Sequence, residues 1–281
     1  MKLVILLLVL ALRRMDIHWP QWLAEHDRIG RVAGPIGART ESAGLAEELA
    51  WLVRVALPAL LVALVFALMH GWLLTLLGMA LGTALLLWLL GPESEFRTVD
   101  DLLVRGRMND GDQLAALAAE RFDATGTPDD DGYFDRLIYT ILHRETRRLF
   151  ASVFYLITLG YWAAVLYVLN CWLASRRLPG SDTARWVDVA LFWLPSRLLV
   201  VVMALAGDFR RVMDAAGDKL WALEEGDSML AQSLEAAMHI PVEDSDTLQA
   251  GVDRLDAMQS VLQRCLAIWL IMAAVWVVLV G

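Results

Sequence analysis

Trp72-Leu-Leu-Thr-Leu-Leu-Gly78-Met-Ala-Leu-Gly82-Thr-Ala-Leu-Leu-Leu-Trp88-Leu-Leu90 is nineteen residues without a charge. At about 1.5 Å per residue it makes a helix of roughly 28 Å, the thickness of a bilayer's hydrocarbon core. Other runs repeat the pattern. Residues 52–69 form a second, interrupted near its start by Arg54 and Pro58, and residues 149–174 a third. Residues 265–280 form a fourth, slightly short but uncharged. The 281-residue chain is 58% hydrophobic, above the roughly 45–50% of a soluble domain, and its mean hydropathy is +0.52. Two further segments are weaker. Residues 3–12 resemble the apolar core of a secretion signal but lead into Arg13 and Arg14 rather than a small-residue cleavage site, so the segment is expected to stay. Its arginines are expected to reach for the interface. Residues 186–206 are apolar enough to cross but contain Asp188, Pro195 and Arg197.

The expectation is an all-α integral membrane protein, a single membrane domain bundling about four to six membrane helices. These fall at about 3–12, 52–69, 72–90, 149–174, 186–206 and 265–280. Most arginines lie in the polar segments 13–54, 91–148 and 207–264, and the positive-inside rule assigns these to the cytoplasm. In the six-segment arrangement both termini lie outside; if 186–206 only dips into the bilayer, the last polar segment changes sides. Arg176, Arg177 and Arg185 crowd a loop this arrangement places outside, against the rule.

Within 91–148 and 207–264 the spacing is helical. Val99, Leu102, Leu103, Leu114, Leu117 and Phe122 recur at three to four residues. Residues 125–132 hold a turn-rich break with Asp129, Asp130 and Asp131, and a new helix starts at Tyr133. Both long segments are acidic, with thirteen Asp and Glu against eight arginines in 91–148 and twelve against five basic residues in 207–264. Nucleic-acid binding needs clustered cations to displace counterions, so no nucleic-acid partner is expected. The partner expected from composition is the lipid bilayer.

Candidate functional residues are the charges in or beside apolar runs, because such groups are costly and usually pair or work. One group is Glu145, Arg147 and Arg148, with Arg144, at the mouth of the 149–174 run. They are either an interfacial anchor or an anion site. The second is Asp188, Trp193, Pro195 and Arg197, with Asp208 further on. An arginine at mid-membrane costs about 2.5–3.5 kcal/mol on insertion scales, so Arg197 should face the protein. Asp188, Asp208 or Glu145 is its expected counter-charge. Pro195 removes a helix donor, and Arg197 can also reach the carbonyl so freed. The five histidines lack metal-ligand spacing, and Cys171 and Cys265 suggest neither a zinc site nor a disulfide. No catalytic residue, metal or cofactor is named by the sequence. Gly78 and Gly82 form a GxxxG that favours close helix packing.

Two stretches carry a family resemblance. One is Arg147-Arg148-Leu-Phe-Ala-Ser-Val-Phe-Tyr-Leu-Ile-Thr-Leu-Gly160, followed by Ala163-Ala-Val-Leu-Tyr167. The other is Trp193-Leu-Pro195-Ser-Arg197-Leu-Leu, ending at Gly207-Asp208-Phe209. Both resemble the AmpE family. Phe192 stands where that family usually has an acid, with Asp188 one turn earlier. The resemblance implies an inner-membrane protein linked to β-lactamase induction and to the cytoplasmic amidase of cell-wall recycling. AmpE proteins look similar in turn to the CobD/CbiB membrane enzymes of cobalamin synthesis, but the Asn- and Asp-rich segment of those enzymes is missing here. Two functions follow as expectations: a non-catalytic regulatory membrane protein, or a membrane enzyme or ligand-binding protein that keeps a pocket. Convergence of Arg197, Glu145 and an Asp on a cavity favours the second; pairing of these charges within packed helices favours the first.

Overall fold

A computed structural model describes residues 2–14, 29–30, 46–68, 72–91, 94–222, 226–238 and 248–280. Most of the 13–54 segment, and His18, His26, His70 and His239, lie outside the described residues. All regular structure among the described residues is helical. In chain order the helices are α1 (Lys2–Arg14), α2 (Glu47–Leu68), α3 (Trp72–Leu90), α4 (Glu95–Arg107), α5 (Gly111–Phe122) and α6 (Tyr133–Glu145). They continue as α7 (Ala151–Thr158), α8 (Tyr161–Ala174), α9 (Ser181–Ala206), α10 (Phe209–Ala216), α11 (Gly226–Met238) and α12 (Leu248–Val280). Three are long and apolar enough to cross a membrane: Glu47–Leu68, Ser181–Ala206 and Leu248–Leu279. A fourth is added if Leu77–Leu90 is counted with the helix that follows it. Leu3–Arg13 and Tyr161–Ala174 are apolar but shorter. The protein is an all-α membrane protein.

The chain forms two compact units. The first comprises Met1–Glu93, Ala151–Trp193 and Ala273–Gly281. Here Ile5, Leu6 and Val9 are buried along one face of α1. Arg13 is buried too, and its Nη2 donates to the carbonyl of Leu90 at 3.4 Å. The last four carbonyls of a helix have no intrahelical donor, and Leu90 is the last residue of α3. Arg13 therefore caps α3. Gly82 makes the close approach expected of its motif, since a Cβ there would lie 2.6 Å from the Tyr161 hydroxyl. Tyr161 in turn stacks on Phe66 with ring centroids 4.4 Å apart.

The 149–174 run is not one helix. It breaks between α7 and α8 at Leu159 and Gly160, whose amides both donate to the carbonyl of Tyr155 at 3.0 Å. Gly160 has φ +99°, a backbone setting that side chains with a Cβ resist. The break lets Tyr155 and Tyr167 stack at 5.1 Å within a core shared with Ala151 and Ala163. In a straight helix twelve residues span about 18 Å, too far for that contact.

The second unit comprises Ser94–Phe150 and Leu194–Met272. Its polar helices are amphipathic, as the spacing predicts. Val99, Leu102 and Leu103 of α4, Leu114 and Phe122 of α5, and Leu137, Ile138 and Ile141 of α6 are buried. Asp110 caps α5 by accepting from the amide of Gln113 at 3.0 Å. Asp130 closes the 125–132 turn on the amide of Thr127 at 2.6 Å. Two glycines allow helices to meet. A Cβ on Gly251 would fall 2.1 Å from the Phe134 ring, and one on Gly106 would fall 2.3 Å from Val252. The apolar end of α9 is buried here through Leu199, Val200, Val202, Met203 and Ala204. Polar clips along α12 complete the unit: Gln259 to Asp100 at 2.6 Å, Arg254 to Asp135 at 2.6 Å and Arg107 to Asp256 at 3.1 Å.

Candidate functional site

The Trp193–Arg197 motif lies wholly inside α9, which carries Pro195 within it. A proline has no amide hydrogen, so the carbonyl four residues earlier loses its helical donor. That carbonyl belongs to Leu191, and the hydroxyl of Tyr155 donates to it at 2.7 Å. The freed acceptor is thus satisfied by Tyr155. The expectation that Arg197 serves it is corrected.

Arg197 faces the protein and is 7% exposed. Its Nε donates to the carbonyl of Leu220 at 3.1 Å, and Nη2 donates to those of Lys219 at 3.2 Å and Ala222. Nη1 donates to the hydroxyl of Ser196 at 2.8 Å. The carbonyls belong to the end of a 3-10 turn, Gly217–Leu220, and the residues just after it. The Lys219 carbonyl also accepts from the amide of Ala222 at 3.2 Å; a cation suits such terminal carbonyls. A planar guanidinium with five donors can serve several at once, which an ammonium cannot do in the same geometry. Arg197 is therefore a clip that fixes a turn more than twenty residues further along the chain.

Two of the acids expected to balance Arg197 have contacts of their own. Asp208 would share a face with Arg197 on a continuous helix, but α9 ends at Ala206. Asp208 caps α10, accepting from the amide of Arg211 at 3.1 Å and pairing with its guanidinium at 3.6 Å. Asp188 accepts from the thiol of Cys171 at 3.3 Å. Glu145 is buried at 2% exposure in the last turn of α6. Cys171 and Cys265 are both free thiols.

The arginines around residue 146 each find an acid. Arg148 pairs with Glu95 at 3.0 Å and Arg144 with Asp123 at 2.6 Å, the latter also donating to the carbonyl of Arg121. Arg147 lies 3.6 Å from Asp227, whose other oxygen is 3.2 Å from Nδ1 of His143. Burial alone would push the Asp227 carboxyl up, but His143 and Arg147 outweigh it and hold the group below its ordinary value. The helix widens to a π turn at Thr146–Phe150, which carries Arg147 and Arg148. Beside this cluster lies a groove of about 500 Å³, lined by Asp135, Ile138 and Tyr139 of α6, Leu234 and Glu235 of α11, and Arg254.

A second polar network was not anticipated. In α2, Glu47, Trp51 and Arg54 share a face at four- and three-residue spacing. Glu47 accepts from the amide of Gly180 at 2.6 Å, and Arg54 donates to the carbonyl of Pro179 at 2.9 Å. Between them the indole of Trp51 donates to Oδ1 of Asn170 at 2.8 Å, while Nδ2 of Asn170 donates to the carbonyl of Ala184 at 3.0 Å. Arg54 is 2% exposed and sits in another π turn, Leu52–Ala56. Three such residues on one helix face opening an apolar run were the available signal.

No curated protein and no solved structure matches the chain. One family does, the regulatory signalling modulator protein AmpE, over residues 1–229. That match includes both the Arg147–Tyr167 stretch and the Trp193–Phe209 stretch, each built around a described internal contact. With most of its length matched and the regular structure of its described residues all helical, this chain belongs to the AmpE family of regulatory membrane proteins.

Proposed function

We propose that the protein is a multi-pass inner-membrane regulator that modulates β-lactamase induction through cell-wall recycling and acts by binding and conformation rather than catalysis. Family membership supports the regulatory part. The observation that favours a non-catalytic reading is the use made of the candidate charges. Arg197 is spent on backbone carbonyls, Arg147 on Asp227, Arg148 on Glu95, and Asp208 on a helix N-terminus. These are the contacts of groups that hold a fold.

The test is deletion of the gene in a bacterium with an inducible β-lactamase, with enzyme activity measured before and after a β-lactam. An altered induction ratio, restored by the wild-type gene, is expected. An unchanged ratio overturns this reading. A ligand-binding reading rests on the groove beside Tyr139 and Arg254. It gains if Arg254→Ala abolishes the complementation while leaving the unfolding midpoint unchanged.

A further inference from the structure

Three apolar helices of the first unit end on one short loop. α8 stops at Ala174, α9 begins at Ser181 and α2 begins at Glu47. Both α2 and α9 are long and apolar enough to cross a membrane. The ends are tied together, since Glu47 accepts from the amide of Gly180 at 2.6 Å and Arg54 donates to the carbonyl of Pro179 at 2.9 Å. Irregular backbone exposed to lipid does not occur within the hydrocarbon region. A loop at which crossing helices begin and end therefore lies at one surface of the bilayer.

The side chains around this loop are ordered by depth. Arg176 and Arg177 are exposed on the loop itself. Trp172 stands about 3 Å back along α8 from its end, and Trp186 about 8 Å along α9 from its start, at 1.5 Å per residue. Trp186 is 74% exposed. The guanidinium of Arg176 lies over the Trp172 ring, 5.8 Å from its centroid. Cations outermost with indoles just beneath them is the order of a headgroup layer above the start of the acyl chains.

The charge of the loop says which headgroup fits. From Trp172 to Trp186 there are three arginines and one acid, Asp182, which pairs with Arg185. On α2, Glu47 is occupied by the Gly180 amide, and Glu48 beside it is exposed. Arg177 has no partner among the described residues. Two guanidiniums on consecutive residues, each a planar fork of donors, match the oxygens of a phosphate. A lipid whose phosphate is not balanced by a headgroup amine suits this surplus of cations best.

We propose that the 175–180 loop binds the phosphate of an anionic phospholipid through Arg176 and Arg177, with Trp172 and Trp186 beside the top of its acyl chains. Such a lipid gives this basic loop a counter-charge whichever face of the membrane it occupies.

For the test, the full chain is purified in a neutral detergent and titrated separately with phosphatidylglycerol, phosphatidylethanolamine and inorganic phosphate. Bound lipid is counted by native mass spectrometry. Wild type should bind phosphatidylglycerol more tightly than phosphatidylethanolamine. Arg176→Gln with Arg177→Gln should weaken phosphatidylglycerol binding at least about fivefold and leave the unfolding midpoint unchanged. Arg176→Lys with Arg177→Lys keeps both charges and should keep the preference for phosphatidylglycerol. Arg210→Gln, at a side chain 92% exposed on α10, is the control and should change nothing. Equal affinity of wild type for the two lipids overturns the proposal, as does binding that the glutamine variant retains or a preference that the lysine variant loses. Displacement of phosphatidylglycerol by equimolar inorganic phosphate also overturns it, because the loop would then hold a free anion rather than a lipid.

Discussion

The hydroxyl of Tyr155 donates at 2.7 Å to the carbonyl oxygen of Leu191, the acceptor that Pro195 leaves without its helical donor. A proline in a helix interior costs about 3 kcal/mol, part of it in the lost hydrogen bond. The tyrosine repairs that part from another helix, so neither residue's contribution is independent of the other. A buried acceptor left unpaired costs about 1–3 kcal/mol.

Tyr155→Phe should therefore destabilise the protein by about 1–2 kcal/mol. In a Pro195→Ala background, where residue 195 regains its amide, the same change should cost less than half as much. Denaturant unfolding of the four proteins in detergent gives the coupling directly. Equal costs in both backgrounds would mean that Tyr155 acts through packing alone.

Arg197→Met removes a donor from three carbonyls, of which that of Lys219 keeps the amide of Ala222, while roughly keeping the volume, and should cost about 2–4 kcal/mol. Arg197→Lys keeps the charge but loses the fork, so it should recover only part of the loss. If Arg197 were an anion-binding residue with no structural work, Met would leave the unfolding midpoint unchanged and abolish only the proposed effect on β-lactamase induction.

Asp227 supplies a pH dependence whose sign follows from its lowered folded-state value. Its contribution is complete above the unfolded-state value of about 3.9 and is lost as pH falls through the lower folded-state value. The stability difference between wild type and Asp227→Asn should be steady near pH 5 and shrink below about pH 4. A difference that grows on acidification would contradict the pairing with His143 and Arg147.

Gly180→Ala should cost about 1–3 kcal/mol. Gly180 has φ +92°, and an added Cβ would lie 2.8 Å from the backbone nitrogen of Trp51. The substitution should also disturb the amide that bonds Glu47. Trp51→Phe, which removes only the donor to Asn170, should cost about 1 kcal/mol. Unfolding midpoints of the two variants should therefore rank with Gly180→Ala the lower.

The apolar runs were legible because lipid and protein interior both demand continuous hydrophobicity. Arg197's inward aim was legible because its charge makes lipid contact expensive. Its acceptors were not, since every residue carries a carbonyl and nothing in the letters Lys219, Leu220 and Ala222 marks them as a helix end awaiting a cation. The division of 149–174 had a signal in Gly160, overridden by the apolar residues around it. Asp208 is a counter-charge only for a helix that runs on past Gly207; α9 stops at Ala206, and Asp208 is a cap. Glu47, Trp51 and Arg54 went unread because their partners, Gly180, Asn170 and Pro179, come more than a hundred residues later.

The wide turn at Thr146–Phe150 gives chain length some play at that point. Each residue of an ordinary helix advances the face by about 100°, and a wide turn holds about one residue more than an ordinary one. Losing that residue lets the turn close to an ordinary helix, with His143 still bearing on Asp227 and Phe150 on Trp269. A one-residue deletion in the regular turns before it would instead swing everything beyond by about 100°. The wide turn is slack that the flanking turns do not have.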